Sequence, residues 1–158
     1  MWYNKTNQVN KFIDMVNAIS TAQMLGGTEV LRTQVQSDRD LEKIVLEGLP
    51  TGVVSKIIEK IYPGQTDKIY QLVPRSTLVR RQKQGAVLNV EESQKAERLA
   101  RVYSFAVEVW NSEDRAREFM TKAHPMLEDR TPFDASLGEL GARQVEEILG
   151  RLMFGVGA

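Results

Sequence analysis

The sequence predicts an all-α protein. Apolar residues recur three and four positions apart along most of the 158-residue chain, the spacing that places side chains on one face of a helix. Ser, Thr, Asp or Asn precede these runs and Gly or Pro follow them, as at helix ends. A chain of this length buries a core without disulfides or metals. We predict an N-terminal helical region over residues 1–89, with a helix-turn-helix at about 49–85, and a C-terminal helical domain over 90–158.

The composition excludes several kinds of protein. Hydrophobic and charged residues make up 42% and 27% of the chain, as in ordinary globular proteins. With no cysteine and one histidine, a disulfide framework and a thiolate metal site are excluded, and we expect no metal and no cofactor. No apolar run approaches the ~18 residues of a membrane span, and a signal-peptide pattern is missing. We expect a soluble, cytoplasmic protein without a membrane partner.

The first third of the chain holds two amphipathic helices. One ends before Gly26-Gly27, and its apolar stripe is expected to lie in the core. Residues 28–35 form one or two helical turns. Asp40 is the N-cap of the next helix, which ends at Gly48. The residues expected to face inward are Val9, Phe12, Ile13, Val16 and Ile19, then Leu41, Ile44 and Val45.

Two further helices lie between residues 49 and 72. Thr51 caps the first, and Pro63-Gly64 ends it in a turn. Thr66 caps the second. The residues expected to be buried are Val53, Val54, Ile57, Ile58 and Ile61 in the first helix and Ile69, Tyr70 and Leu72 in the second.

A short basic helix follows over residues 73–85. Pro74 suits its first helical position and Gly85 its left-handed end, with Leu78 as the inward anchor. Residues 68–85 carry five basic and no acidic side chains in a chain of zero net charge. Any phosphate contact is therefore confined to this patch. The polar side chains available for contact are Arg75, Ser76, Thr77, Arg80, Arg81 and Lys83.

Two short helices joined by a tight turn, the second polar and basic, are typical of a helix-turn-helix with its recognition helix. The alternative is a solvated basic surface that contacts no nucleic acid. A single patch predicts weak, salt-sensitive binding, which a homodimer with two patches would strengthen.

The C-terminal half begins with a long helix at Val90, whose acidic first turn suits the helix dipole. Residues 111–112 offer a cap for the next helix. His124-Pro125 ends that helix, because a residue before proline avoids the α conformation. A last helix covers 140–152. The residues expected to face inward are Leu99, Val102, Tyr103, Ala106, Val109 and Trp110, then Ala116, Phe119 and Met120, then Leu140, Val145, Ile148, Leu149 and Leu152.

The sequence predicts a binding protein and no enzyme. His124 has no second histidine, cysteine or activated serine to work with, and no glycine-rich phosphate loop is seen. The last six residues, Met153 to Ala158, carry no side-chain charge. Such a tail either frays, as termini commonly do, or enters a pocket on a partner.

Together these segments resemble the Xre/MbcA/ParS-type antitoxins, which pair with RES-domain toxins. The resemblance covers most of the chain and depends on the order and spacing of short motifs. Those motifs are Leu49-Pro50, Arg75-Ser76-Thr77-Leu78-Val79-Arg80-Arg81, Glu91-Glu92-Ser93, Arg98-Leu99-Ala100-Arg101-Val102, His124-Pro125-Met126-Leu127, Arg130-Thr131-Pro132, Gly141-Ala142-Arg143-Gln144-Val145-Glu146, Leu149-Gly150-Arg151 and Gly155-Val156.

The resemblance implies an N-terminal Xre-like helix-turn-helix region that binds operator DNA and a C-terminal toxin-binding domain with an exposed tail. It also implies an antitoxin that blocks the active site of an NAD-consuming or ADP-ribosylating RES toxin and regulates its own operon. A homodimer and a hetero-oligomeric complex with the toxin are expected. The operator contacts carried over are Arg75, Ser76, Thr77, Arg80, Arg81 and Lys83, and the toxin-blocking residues are Arg151, Phe154, Gly155, Val156, Gly157 and Ala158.

Two departures from the family pattern matter. Glu128-Asp129 precedes Arg130 where glycine is usual, and Asp tolerates the left-handed conformation such a bend needs. Pro74 replaces a polar residue at the start of the recognition helix, which removes a cap and a phosphate contact. The alternative function is a stand-alone helix-turn-helix regulator whose C-terminal domain dimerises or binds a small ligand.

Overall fold

A computed structural model describes residues 18–155 of the chain, and the all-α prediction is confirmed, since those residues form helices and no strand. The first described helix, α1, covers residues 18–24. The other α-helices are α2 (Gly27–Leu31), α3 (Asp38–Glu47), α4 (Gly52–Ile61), α5 (Arg75–Gln84), α6 (Val90–Trp110), α7 (Glu113–Thr121), α8 (Pro132–Ser136) and α9 (Glu139–Phe154). Two 3-10 helices cover Thr66–Gln71 and Pro125–Leu127.

The long helix α6 lies at the centre of the fold. It packs against α3 and α4 from the N-terminal half and against α7, α8 and α9 from the C-terminal half. Its predicted inward residues Leu99, Val102, Tyr103 and Ala106 are buried, whereas the last two of that stripe, at 109–110, are partly buried. One helix therefore supplies core surface to both halves of the molecule.

Helix α4 and the segments around it fix the N-terminal half on α6. All five inward residues predicted for α4 are buried. The backbone N–H of Leu49 donates to Ser93 Oγ at 2.9 Å, and the N–H of Leu88 donates to the carbonyl of Leu49 at 2.8 Å. These bonds hold the start of α4 against the start of α6.

Several helix starts differ from the predicted ones. Ser37, not Asp40, is the N-cap of α3, and its Oγ accepts the N–H of Asp40 at 3.2 Å. Asp40 accepts the N–H of Gln36 at 3.0 Å, so its carboxylate closes the turn before the helix. At α6, Asn89 and Glu92 form a reciprocal capping box that was not predicted.

The predicted cap at Thr66 was wrong, and so was the predicted burial of Tyr70. The segment is a six-residue 3-10 helix without a side-chain cap. Leu72 is buried and Ile69 partly buried, but Tyr70 is 41% exposed. The segment is short because Pro74 follows so closely, and a residue before proline is displaced from the α conformation.

The apolar stripe of the first helix was also assigned to the wrong face where it can be judged. Ile19 is 43% exposed, while Ala18, Ala22 and Leu25 are buried. The other predicted members of that stripe, Val9, Phe12, Ile13 and Val16, lie outside the described residues.

The predicted inward face of helix α9 is confirmed at its centre and wrong at its two ends. Val145, Ile148 and Leu149 are buried as expected, but Leu140 is 76% exposed and Leu152 38% exposed. The reason is a close approach to α8. A Cβ added at Gly141 would lie 2.0 Å from the carbonyl oxygen of Ala135, so position 141 faces α8 and the preceding Leu140 is turned towards solvent.

The bend between the 3-10 helix at Pro125–Leu127 and α8 contains two left-handed residues. Glu128 and Asp129 have φ of 56° and 59°, the left-handed conformation that the predicted bend needs. An L-residue pays roughly 1–2 kcal/mol for this conformation. Arg130 supports the bend by donating from Nε to the carbonyl of Leu127 at 3.1 Å. In the described part of the chain, no helix has both the length and the apolarity to cross a membrane.

Candidate functional site

Helix α5 is held by its ends and by one buried side chain. Pro74 is its N-cap, so the helix begins at Arg75, one residue later than predicted, and no side chain caps this end. The predicted left-handed end at Gly85 is confirmed, with φ of 61°, and the N–H of Ala86 donates to the carbonyl of Arg81 at 2.9 Å. Leu78 is buried as the inward anchor. The opposite side of α5 therefore faces solvent.

That solvent-facing side forms a continuous surface, which we call the α5 outer face. Its members are separated by one, three or four positions and so share one side of the helix. Four of the six predicted contact residues lie on it, and Thr77 lies half-buried beside it. The α5 outer face consists of Arg75, Ser76, Val79, Arg80, Lys83 and Gln84, all of them exposed.

Arg81 points the other way. Its Nη2 lies 3.1 Å from the carboxylate of Glu92 and its Nη1 donates to the carbonyl of Val87 at 2.9 Å. The side chain is 17% exposed. Arg81 therefore clamps α5 to the start of α6. It lies off the α5 outer face, and the prediction that it contacts DNA stays a prediction.

Tyr70 was expected in the core but lies next to the α5 outer face. The guanidinium of Arg75 is 5.6 Å from the centre of the Tyr70 ring, within range of a cation–π interaction. This contact holds Arg75 at the N-terminal end of α5. Val79 and Gln84 of the α5 outer face were not among the predicted contact residues. Each lies one helical turn after a predicted contact, which was the sequence pattern that could have identified them.

The second surface is the C-terminal end of α9. Phe154 is 53% exposed, and Gly155 ends the helix with φ of 66°. Arg151 is partly exposed and pairs with Glu147 of the same helix. Val156, Gly157 and Ala158 lie outside the described residues. The described part thus ends with an aromatic side chain that its own core leaves half uncovered.

A partly buried ion cluster fixes α9 on α6. Arg101 Nε lies 2.6 Å from Glu146 of α9, and its Nη1 lies 3.0 Å from Glu97 on its own helix. Arg98 donates to the carbonyl of Leu137 at 3.0 Å. Burial raises the pKa of the Glu97 carboxyl, and the opposing effect of Arg101 does not offset it.

His124 has a structural role. Its Nδ1 accepts the N–H of Met126 at 3.2 Å, and its backbone N–H donates to the carbonyl of Arg130 at 3.0 Å. Both bonds shape the bend before α8. Among residues 18–155, no group of three or more His, Cys, Asp or Glu side chains is placed to hold a metal ion.

Two family models match successive parts of this chain. Residues 40–101 match the antitoxin Xre-like helix-turn-helix domain. Residues 105–155 match the antitoxin Xre/MbcA/ParS C-terminal toxin-binding domain. The chain belongs to the Xre/MbcA/ParS-type antitoxins. A curated relative, the antitoxin Xre of Pseudomonas putida, is 25% identical over 126 residues, which are 78% of this chain and 77% of that protein.

The two surfaces of this antitoxin fall in different matched domains. The α5 outer face lies inside the helix-turn-helix match, and Phe154 and Gly155 are the last residues of the toxin-binding match. The first match ends at residue 101 and the second begins at residue 105, and both positions lie within α6. The domain boundary at 89–90 stays a prediction.

Proposed function

We propose that this antitoxin neutralises a RES-domain toxin by placing its C-terminal residues in the toxin's active-site cleft. The toxin we propose is one that degrades NAD or transfers its ADP-ribose. The observation that carries the proposal is the half-exposed Phe154 at the end of the toxin-binding match.

An aromatic residue at the end of a rigid helix is suited to filling a substrate cleft on a partner. Substrate sites are concave and largely apolar, and a side chain that fills one competes directly with the substrate. Aromatic side chains bury a large area with few rotatable bonds, so they lose little conformational entropy on binding. The antitoxin then needs no reactive group of its own. Arg151, one turn earlier, supplies a cation for polar or anionic groups at the rim of the cleft.

Deleting residues 154–158 tests this occlusion. We expect cells that express the neighbouring toxin gene to lose rescue, while the truncated antitoxin still co-purifies with the toxin through the rest of its C-terminal domain. The matched control is Leu140→Ala, which removes a more exposed apolar side chain at the opposite end of α9. Full rescue by the truncated chain would show that the tail does not block the active site.

We further propose that the α5 outer face binds operator DNA and represses the antitoxin's own operon. Its three cations, Arg75, Arg80 and Lys83, are exposed and point away from the core. The first turn of α5 has no side-chain cap, so its N–H groups are available to a phosphate. Ser76 and Thr77 of that turn add hydroxyl donors. One such face binds weakly, and we propose a homodimer in the cytoplasm that presents two faces to one operator.

The identity of the neighbouring gene distinguishes the proposed antitoxin function from the alternative, a stand-alone regulator. A neighbouring RES-domain frame whose product co-purifies with this chain supports neutralisation. DNA binding without any toxin partner supports the regulator. The mass of the purified complex gives the ratio of the two proteins.

A further inference from the structure

The α5 outer face contains an apolar side chain among polar ones. Of its six residues, all described, Val79 is the apolar member and is 40% exposed. It lies one turn after Arg75 and next to Arg80, in the middle of the face. Valine is a poorer helix former than alanine, leucine or the charged residues around it. The demands of the helix therefore do not account for a valine here.

Val79 is also not needed by the core. The buried residue of α5 is Leu78, its neighbour in sequence, which is displaced by about 100° around the helix. The apolar residues partly buried against the core do not include Val79. Its isopropyl group is therefore free to contact whatever covers the α5 outer face.

The chemistry of the DNA major groove offers one apolar counterpart. Base edges there present hydrogen-bond donors and acceptors, and the C5 methyl of thymine is the apolar group among them. The N-terminal half of a recognition helix makes the base contacts, and Val79 is the fifth residue of α5. The cations beside it meet the phosphates or guanine.

We propose that Val79 reads a thymine methyl in each operator half-site. The proposal rests on the proposed binding of DNA by the α5 outer face and names a residue that sets its sequence preference. Arg80 and Lys83 hold the helix in the groove through charge, whereas Val79 distinguishes one base from the others through shape and apolar contact.

The test uses duplexes selected by the full-length antitoxin from a random DNA library. Each thymine of a selected half-site is replaced in turn by deoxyuridine, which removes the methyl and leaves pairing intact. We expect one thymine per half-site whose replacement weakens binding by wild type about fourfold, the value for burying one methyl group. Val79→Ala should bind the thymine and deoxyuridine duplexes equally. Val90→Ala, an equally exposed valine off the α5 outer face, should discriminate as wild type does.

The outcomes separate the two proposals. If no thymine methyl matters to wild type, or if Val79→Ala keeps the full discrimination, then the assignment of Val79 is overturned. In that case weaker binding by Arg80→Ala still supports DNA contact by α5. If the wild-type antitoxin selects no duplex, both proposals fall. Circular dichroism confirms that Val79→Ala keeps the wild-type helix content.

Discussion

The α5 outer face and the C-terminal end of α9 are opposite kinds of surface on one small protein. The first is cationic and seated by the buried Leu78 and the Arg81–Glu92 pair. The second is apolar, with Phe154 half uncovered at the end of its helix. Charge on a rigid helix suits a polyanion, whose phosphates extend along its length. An uncovered aromatic side chain suits a cleft. The difference suits the two proposed partners, DNA and a toxin, each with its own surface.

The largest expected effect comes from the contact between α8 and the first turn of α9. Gly141→Ala places a Cβ 2.0 Å from the Ala135 carbonyl oxygen, and we expect it to lower the free energy of unfolding by about 3 kcal/mol. In a thermal melt this corresponds to a fall of roughly 6–12 °C. Toxin neutralisation should fall with it.

Gly150→Ala is the matched control on the same helix. No atom lies within 4 Å of the added Cβ, so replacing glycine should stabilise the helix by up to about 1 kcal/mol. Equal melting temperatures for the two variants would mean that α8 and α9 do not meet as closely as described.

The next effect tests how α5 is seated. Arg81→Ala leaves the half-buried Glu92 carboxylate and the Val87 carbonyl without their partner, and we expect a loss of about 2 kcal/mol in urea denaturation. Arg80→Ala, at the exposed neighbouring position, should change stability by less than about 0.5 kcal/mol. The reverse order would place Arg81 on the surface and Arg80 in the clamp.

A smaller effect tests whether the cations of the α5 outer face contact phosphates. Arg80→Ala should weaken operator binding and reduce the slope of log affinity against log salt by about 1, because one phosphate contact is lost. Gel-shift titrations at several salt concentrations measure the slope. Arg115→Ala removes an exposed cation on α7 and should leave it unchanged. An unaltered slope for Arg80→Ala would locate the phosphate contacts away from the α5 outer face.

The smallest effect concerns the ion cluster that joins α6 to α9. Burial raises the pKa of Glu97 above its usual 4.5, so the folded state favours the protonated carboxyl. Its stabilising contribution is present below pH 4.5 and is lost as the pH rises through the folded-state pKa. Glu97→Gln should therefore flatten the fall in melting temperature as the pH rises above about 4.5. Glu108→Gln, on the exposed side of α6, should follow the wild-type curve, and parallel curves for all three proteins would contradict the assignment.

Local chemistry made much of the fold predictable. The five buried residues of α4 and the left-handed end at Gly85 follow from spacing and from the conformational freedom of glycine. The exposure of Ile19 in α1 and of Leu140 in α9 was not predictable in this way. Leu140 and Ile19 have the apolar character of core residues, yet the close approach of α9 to α8 and the docking of α1 by Ala18 and Ala22 decide what is buried. Such contacts join residues on different helices.

The same limit applies to the candidate site. Clustered charge identified α5, but only the fold shows that Arg80 is exposed and that Arg81 pairs with Glu92. The two arginines are adjacent in sequence and separated by about 100° around the helix. The uncharged last six residues left two interpretations open, a frayed terminus or a tail that enters a pocket, and only the resemblance supplied the proposed toxin-blocking role.

Helix α6 runs without interruption through 21 residues, from the capping box beside α5 to the domain that ends at Phe154. Each residue of a helix adds about 100° of rotation and 1.5 Å of length. Inserting one residue between positions 101 and 105 would thus turn the toxin-binding domain by more than a quarter of a circle relative to α5. Seven inserted residues would nearly restore its direction and move it about 10 Å further away. The length of this one helix therefore sets the distance and the angle between the α5 outer face and the C-terminal end of α9.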